Sequence, residues 1–282
     1  MFDRDKWQEI FGTIRQHKLR TILTAFSVWW GIFMLVILLG AGTGMQNSVL
    51  HNFRDDAANA LFVRSGTTSE PYKGLPAGRR IRFTNDDYDV VKEVEGVVHH
   101  SGRYYLWGEF FTTYKNKSLA FNIKCIHPGH QIVENTEVIE GRYINDQDID
   151  ERRKVCVIGR LVKEGFFEEG EAVIGEYLNV KGIDYRIVGV FNDSGGDWEN
   201  RNIYLPISTA QLTEGSDRVH SMALDLGDVT FDEAKAIEEQ IRADLAVRHK
   251  FSAADRSALR IWNKAESSAE FNLVFGFIKG FI

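Results

Sequence analysis

The feature that most constrains this chain is an uncharged stretch over residues 21–53, with His51 neutral, that includes "TAFSVWWGIFMLVILL". Its apolar centre, residues 22–45, would form a helix about 36 Å long at roughly 1.5 Å per residue. Such a helix can cross a hydrocarbon core of about 30 Å with some tilt. A helix this long and apolar on every side is unusual inside a soluble domain. The sequence therefore predicts a transmembrane helix over residues 21–47.

A cleaved signal peptide is the main alternative, and the length of the segment argues against it. About twenty residues precede the apolar stretch, which itself exceeds the apolar region of about 7–15 residues in a signal peptide. Positive charges mark the cytoplasmic flank of a membrane helix. The leader carries Arg4, Lys6, Arg15, Lys18 and Arg20, whereas the far flank offers Arg54 before two aspartates. We therefore predict an inner-membrane protein with a cytoplasmic N-terminus and its main domain on the periplasmic or extracellular side.

The leader, residues 1–20, has an apolar pattern of its own. Trp7, Ile10, Phe11 and Ile14 recur at the spacing of one face of an amphipathic helix, and basic residues lie near its end. This pattern predicts a cytoplasmic helix that lies on the lipid surface. A short helix that packs on other protein segments is the alternative.

Composition and charge exclude several classes of protein. The net charge of −6 argues against a nucleic-acid partner, because phosphate binding favours a basic surface. Apolar residues make up 44% of the chain, so most of it must sit in water. Two cysteines, Cys125 and Cys156, are too few for a disulfide scaffold and lack metal-site spacing. They are expected to be small buried hydrophobic residues, although a disulfide is possible outside the cytoplasm.

Residues 48–268 show mixed helix and strand patterns. Residues 83–97 predict a short helix capped by Thr84 or Asn85 and closed by Gly96. Residues 230–249 predict a longer helix with the capping box Thr230–Glu233. The strand patterns, listed by sequence, are "SLAFNIKCI", "HSMALDL", and the two halves of "YLNVKGIDYRIVGVF", which predict a hairpin at Lys181–Gly182. No regular βαβ repetition is present, so an α+β fold is predicted.

No catalytic residue, cofactor site or metal site is predicted. The chain has no nucleophile-elbow, phosphate-loop or zinc-protease motif. The "HPGH" segment, with His127 and His130, is predicted to be a turn with two solvated histidines, and "NDQDIDERR" a solvated turn. The acidic, glycine-rich "NDSGGDWEN" is predicted to be a mobile surface loop that touches a partner. We therefore expect a protein that is not an enzyme.

Residues 269–282 turn apolar, with Lys279 as an interruption, and are too short to span a membrane. We interpret this segment as the start of a second, truncated transmembrane helix. A tail on the membrane surface is the alternative.

The order of these features resembles the permease subunits of the macrolide-exporter and lipoprotein-exporter type of ABC transporter, the MacB/FtsX-like family. The resemblance covers essentially the whole chain, and each of its motifs is degenerate. The matching segments are "HKLRTILTAFSVWWGIFMLVILLGAGTGMQNSV", "KCIHPGHQIVENTEVIEGRYIN" with its Gly141-Arg142-Tyr143-Ile144 element, "KVCVIGRLVKEGFF", "AVIGEYLNVKGIDYRIVGVF", "IYLPISTAQ" and "HSMALDL".

The resemblance implies a fold and a set of partners. It implies a MacB-like extracytoplasmic core domain over residues 48–268, with a proximal part at about 52–105 and 217–262. A smaller inserted part would occupy about 106–216. It further implies four membrane helices, a homodimer or heterodimer of permeases, and a separate cytoplasmic ATP-binding subunit. A periplasmic adaptor with an outer-membrane channel is a further expected partner.

The function implied is that of a permease that transmits cytoplasmic ATP hydrolysis mechanically to its outer domain, which expels substrate or regulates a partner. The chain departs from the family pattern because it lacks an ATPase domain and the last three membrane helices, so no site residues are transferred to it. A single-pass, membrane-anchored ligand-binding or sensor module without transport activity is the alternative. A membrane-anchored enzyme is a third hypothesis, for which the sequence offers no nucleophile–base pair.

Overall fold

The computed structural model describes residues 17–52, 59–106 and 111–264. The chain divides into two compact units, residues 1–51 and residues 52–282, which are described separately. Most of the predicted leader helix and the apolar segment 269–282 lie outside the described residues.

The first unit is dominated by the helix α1, Lys18–Asn52. Its segment Lys18–Leu38 has a mean hydropathy of 2.1, and none of it is buried against other parts of the protein. It is the one helix among the described residues that is long and apolar enough to cross a membrane. Its observed start lies three residues before the predicted position 21, a difference of less than one helical turn.

The second unit contains all the strands and the remaining helices of the described residues. The strands are β1 Ala60–Ser65, β2 Phe83–Thr84, β3 His99–Tyr105, β4 Phe111–Tyr114, β5 Lys117–Ala120, β6 Asn122–Ile126, β7 Glu137–Gly141, β8 Val155–Gly159, β9 Tyr177–Val180, β10 Ile183–Asn192, β11 Asn202–Pro206, β12 Arg218–Val219, β13 Ser221–Asp225 and β14 Leu259–Asn263. The helices are α2 Asn85–Lys92, α3 His130–Val133, α4 Asp146–Asp150, α5 Arg160–Phe166, α6 Ile207–Glu214 and α7 Phe231–His249, with a 3₁₀ turn at Glu199–Arg201.

Twelve of these strands form one mixed sheet in the order β14-β1-β13-β3-β6-β11-β8-β10-β9-β4-β5, with β7 paired to β10. The pairs β6–β11 and β8–β10 are parallel, and the other pairs in the sheet are antiparallel. Strands β14, β1, β13 and β3 come from the two ends of the unit, and they join the strands of its middle at the β3–β6 pair. The predicted α+β class is confirmed.

One face of the sheet, here called the packed face, is covered by helices. Leu61 and Val63 of β1 and Met222 and Leu224 of β13 alternate toward this face, where they join the main hydrophobic core with Leu245 of α7. Residues i and i+2 of a strand share a face, so the intervening side chains point to the other side. That second side is here called the cleft face.

The predicted N-caps are confirmed, whereas the predicted closure of the first helix at Gly96 is wrong: α2 ends at Lys92, with Glu93 as its C-cap. Thr84 begins α2 in a capping box with Asp87, and Thr230 begins α7 in a capping box with Glu233. The hairpin between β9 and β10 turns at Lys181–Gly182, as predicted, because both residues take positive φ values of 52° and 82°.

Two strand predictions are wrong in detail. The segment "SLAFNIKCI" is two strands broken at Phe121, because β5 pairs with β4 at the sheet edge while β6 pairs with β3 and β11. In the segment "HSMALDL", Met222, Leu224 and Leu226 alternate with Asp225, a pattern typical of a half-buried strand, but every residue of β13 is buried. On the packed face Met222 and Leu224 join the main core, and on the cleft face Ala223 packs in a cluster with Val133 of α3.

The two predicted solvated turns are also wrong. His130 is buried, and its Nδ1 lies 3.1 Å from the hydroxyl of Tyr143. His127 stacks on Tyr88 with 4.3 Å between ring centroids, and its Nδ1 accepts the Gly102 N–H. Burial is the main reason that the pKa of His127 falls to about 4, so this ring is neutral at pH 7.

The "NDQDIDERR" segment forms the short helix α4 instead of a turn, and most of its residues are exposed as predicted. Asn145 caps the helix, and the carboxylate of Asp148 is buried. Arg142, of the Gly141-Arg142-Tyr143-Ile144 element, donates to both oxygens of Asp148 at 2.5 and 2.9 Å. A two-bond guanidinium–carboxylate pair is among the strongest polar contacts in proteins. The charged run therefore anchors this element to the domain.

Candidate binding cleft

The cleft face contains a cleft of about 990 Å³ at the junction of the end strands and the middle strands. Its walls come from β1, β3 and β14 on one side and from β6 and the 192–202 segment on the other. This volume is at the upper end of the range of about 300–1,000 Å³ that small-molecule sites occupy. The cleft is therefore the candidate site of the domain.

A row of residues in register crosses the floor of the cleft. Arg260 of β14 lies opposite Arg64 of β1, Arg64 lies opposite Ser221 of β13, and Ser221 lies opposite Arg103 of β3. Two arginines thus face each other directly across an antiparallel pair. Like charges at such positions destabilise a sheet, and the described residues place no carboxylate within 4.0 Å of Arg64 or Arg260.

Arg103 differs from these two arginines because it has a partner. Its guanidinium forms a buried ion pair with Glu134, which follows helix α3. Burial alone would raise the pKa of Glu134, but the adjacent charge of Arg103 outweighs it and lowers the pKa to about 2. Glu134 is therefore ionised at any physiological pH. The pair holds α3 against the cleft face.

The opposite wall is formed by the "NDSGGDWEN" segment, residues 192–200. Its ends are anchored because Asn200 bonds the backbone of Asp193 in both directions, at 2.9 and 2.8 Å. Burial, and then the nearby charge of Glu199, raise the pKa of Asp193 to about 6, against the bond from the Gly195 N–H. Lys124 forms an ion pair with Glu199. The segment was predicted to be a surface loop, and the structure makes it a wall of the cleft.

Aromatic side chains flank the charged row. Phe62 and Trp262 stack across β1 and β14 with 5.3 Å between ring centroids, and Trp262 remains 51% exposed. Trp198, on the opposite wall, is 68% exposed. Exposed tryptophans lie beside arginines that have no carboxylate within 4.0 Å in the part of the chain that the structure describes. The cleft thus has an apolar and a cationic part, which is the composition of a binding site rather than of a hydrophobic core.

Sequence reasoning did not find these residues. Arg64 and Arg260 occur in the ordinary strand patterns "LFVRS" and "LRIWN", and the two arginines are 196 positions apart in the chain. Alternation alone indicates that each arginine faces away from the core. Only the pairing of β1 with β14 brings the two together.

The described residues offer little for catalysis or metal binding. Among them there is no group of three or more His, Cys, Asp or Glu side chains that could hold a metal ion. Cys125 and Cys156 are free and buried, and burial raises the pKa of both thiols. A thiol with a raised pKa is a poor nucleophile. The arrangement in the cleft is suited to binding.

Comparison with known families identifies the family to which the chain belongs. The family model of the MacB-like periplasmic core domain matches residues 21–244. The match includes both the apolar helix and most of the folded domain. The chain belongs to this family, whose characteristic domain is extracytoplasmic, and the apolar helix α1 makes it a membrane-anchored member.

The curated proteins that are similar to this chain are named as export proteins. The macrolide export ATP-binding/permease protein MacB of Bdellovibrio bacteriovorus is 24% identical over 269 residues, 93% of this chain and 40% of that protein. The pyoverdine export ATP-binding/permease protein PvdT of Pseudomonas entomophila is 25% identical over 272 residues, again 93% of this chain and 40% of that protein. The chain thus spans about two fifths of the length of these relatives.

Two solved structures share the fold. The periplasmic region of MacB from Actinobacillus actinomycetemcomitans aligns with a TM-score of 0.63 at 19% identity, and covers 80% of this chain and 98% of that one. The extracellular domain of the ABC-type transporter YknZ aligns with a TM-score of 0.60 at 18% identity, and covers 73% of this chain and all of that one. The described α+β unit therefore has the fold of these extracytoplasmic transporter domains.

Proposed function

We propose that the chain acts in a permease subunit of an ABC-type export system. The observation that carries the proposal is the family match over residues 21–244, which joins a membrane-spanning helix to the extracytoplasmic core domain in one chain. The export names of the similar proteins support this reading. In this role the protein is not itself an enzyme. It transmits ATP hydrolysis by a separate cytoplasmic subunit to the outer domain, which expels substrate or regulates a partner.

The sheet topology supports mechanical transmission. Helix α1 ends at Asn52 and β1 begins at Ala60, while β14 ends at Asn263, before the apolar segment 269–282. Strands β1 and β14 are antiparallel neighbours with Leu61 opposite Asn263. The connections to both apolar segments thus leave from one point of the sheet. A displacement of either membrane segment would act on the same pair of strands, provided that residues 269–282 return to the membrane.

We further propose the orientation and assembly of the subunit. The five basic residues of the leader support a cytoplasmic N-terminus and a domain outside the inner membrane. The leader helix lies on the inner lipid surface, with the domain divided into a proximal part and an inserted part. The functional assembly contains two permeases, homodimeric or heterodimeric, two ATP-binding subunits, and a periplasmic adaptor with an outer-membrane channel.

Purification of the native protein from membranes tests the assembly. A tagged chromosomal copy, solubilised in mild detergent, should co-purify with an ATP-binding subunit in a 1:1 ratio by quantitative mass spectrometry, and two permease copies should be present by native mass. A tagged, unrelated single-pass protein from the same membrane is the control. A tagged protein that is recovered without any ATP-binding subunit would contradict the proposal.

A second experiment tests transmission. Insertion of four residues, glycines and serines, between Asn52 and Ala60 lengthens the connection between α1 and β1 without changing either element. We expect ATP hydrolysis by the purified assembly to continue while export by cells stops. The matched control is the same insertion after Gly170, at a surface turn with a φ of 85°. Equal export by both insertion variants would contradict mechanical transmission through this connection.

The alternative function, a membrane-anchored ligand-binding or sensor module without transport, is favoured by one observation, the basic and aromatic cleft. The same purification distinguishes the two functions, because a sensor module requires no ATP-binding subunit.

A further inference from the structure

The lining of the cleft contains more cationic side chains than carboxylates. Its lining contains three carboxylates, of which Glu134 and Glu199 are used in ion pairs with Arg103 and Lys124. The described residues provide no carboxylate within 4.0 Å for the four remaining cations, which are Arg64, Arg80, Arg218 and Arg260. The chain as a whole carries a net charge of −6, so this local excess of positive charge runs against its composition.

Buried guanidinium atoms give a second, independent observation. The Nε atoms of Arg103 and Arg218 are buried and have no hydrogen-bond partner among the described residues. Most buried polar groups in native structures are paired, so each exception requires an explanation. His220 lies beside this region, and burial followed by the charges of Arg218 and Arg80 lowers its pKa to about 4. The cleft thus concentrates positive charge and unused donors on one side.

The apolar part lies next to the charged row. Phe62 and Trp262 occupy the register position two residues before Arg64 on β1 and two after Arg260 on β14. Two residues along a strand span about 7 Å. A molecule with an anionic group about 7 Å from an aromatic body can therefore contact both parts. Guanidinium groups pair well with carboxylates and phosphates because their donors form a planar fork.

We propose that the cleft binds an amphipathic organic anion, with a carboxylate or phosphate group on the Arg64–Arg260 pair and an apolar, aromatic body on Trp262. The ligand neutralises the two opposed arginines, for which the described residues provide no carboxylate within 4.0 Å. The concave shape and the volume of about 990 Å³ fit a small molecule better than the surface of a folded protein. This inference is independent of export, because the sensor alternative would use the same site.

The test measures binding of 1-naphthyl phosphate to the full-length protein in phosphatidylcholine nanodiscs by isothermal titration calorimetry. We expect 1-naphthol and inorganic phosphate to bind at least tenfold more weakly than 1-naphthyl phosphate, because each contacts one part of the cleft. We also expect the affinity to fall with added salt, since exposed charges are screened. Absence of binding, or equal binding of 1-naphthol, overturns the proposal.

Variants assign the binding to the cleft. The double variant Arg64→Gln, Arg260→Gln should bind 1-naphthyl phosphate at least tenfold more weakly. The matched control, Arg82→Gln, Arg186→Gln, removes two exposed arginines outside the cleft and should bind within twofold of the wild type. Unchanged affinity in the cleft variant, or an equal loss in the control, overturns the proposal.

A third variant distinguishes a loss of binding from a loss of folding. Ser221 lies between Arg64 and Arg103 in the row, so Ser221→Asp supplies the missing counter-charge from within the protein. We expect this variant to keep or raise the melting temperature while it loses at least tenfold in affinity. A folded Ser221→Asp protein that binds as tightly as the wild type overturns the proposal.

A change of lipid identifies the source of the anion. Nanodiscs that contain phosphatidylglycerol supply a competing lipid phosphate, and weaker binding of 1-naphthyl phosphate there would identify the natural ligand as a lipid headgroup. Unchanged affinity would identify a soluble anion. Both results support the cleft assignment, because both require that the probe binds.

Discussion

The two faces of the 12-stranded sheet differ in how their charged side chains are paired. On the packed face, the buried carboxylate of Asp87 accepts hydrogen bonds from Arg248 at 2.7 Å and from His249 at 2.9 Å. On the cleft face, Arg64 and Arg260 oppose each other with no carboxylate within 4.0 Å among the described residues. A sequence under selection for stability alone has no reason to keep the second arrangement. The difference separates the part of the domain that holds the fold together from the part that is available to a ligand.

Glu134 is the exception within the cleft, since it lines the cleft but contributes to the fold. We expect Glu134→Ala to lower the free energy of unfolding by about 3–5 kcal/mol, because it leaves the charge of Arg103 buried without a partner. Denaturant unfolding of the full-length protein in detergent, followed by tryptophan fluorescence, measures this change. The control is Glu137→Ala, an exposed glutamate three residues away. Equal stability of the two variants would show that the ion pair is dispensable.

On the packed face, Leu245→Ala should lower the free energy of unfolding by about 2–5 kcal/mol, because it removes a fully buried side chain and leaves a cavity. The same unfolding measurement applies. Val247→Ala is the matched control on the same helix, since Val247 is 79% exposed and its truncation should change stability by less than about 0.5 kcal/mol. A similar loss in both variants would argue that α7 does not pack as described.

Two buried aspartates, one on each face of the sheet, should make the stability of the fold depend on pH. The pKa of Asp87 is lowered: burial opposes ionisation, but the bonds from His249 and Arg248 outweigh it. A lowered pKa stabilises the fold above the unfolded value of 3.8, and this stability is lost as the pH falls below that value. Melting temperatures measured from pH 2 to 8 should therefore fall on the acid side, and Asp87→Asn should flatten this acid limb.

Asp193, on the wall of the cleft, should change stability with pH in the opposite direction. Its pKa is raised from 3.8 to about 6, so the folded state binds the proton more tightly than the unfolded state. Its contribution to stability is complete below pH 3.8 and is lost as the pH rises through about 6. Asp193→Asn should remove the decline between these two values in the same melting experiment. A wild-type decline that persists in the variant would assign it to another group.

The smallest expected effect concerns the opposed arginines. Arg64→Gln removes a like-charge contact, so stability should stay the same or rise by about 0.2–1 kcal/mol at low salt. The increase should shrink as salt is added, because the repulsion is screened. Arg186→Gln, an exposed arginine on β10, serves as the control and should show no such gain. A clear loss of stability in Arg64→Gln would mean that this arginine supports the fold instead of being available to a ligand.

Local sequence patterns predicted several elements of the domain. The capping boxes at Thr84 and Thr230 and the hairpin at Lys181–Gly182 depend on residues that are neighbours in the chain, so they could be read directly. The same holds for the apolar length of α1. Arg248 and His249 lie in the last turn of the helix predicted over residues 230–249, where basic side chains interact favourably with the helix dipole. Their bonds to Asp87 depend on how α7 packs against α2.

The membrane helix, the α+β class and the family could be predicted from the sequence, because they depend on composition, periodicity and motif order along the chain. The tertiary structure decided which polar residues are buried and which charges meet. His130 and Asp148 look solvated in the sequence, yet both are buried with partners. Arg64 and Arg260 look like ordinary strand residues until β1 pairs with β14. The physical reason is that strand pairing joins distant segments, and the charge environment of a side chain depends on those segments rather than on its neighbours in sequence.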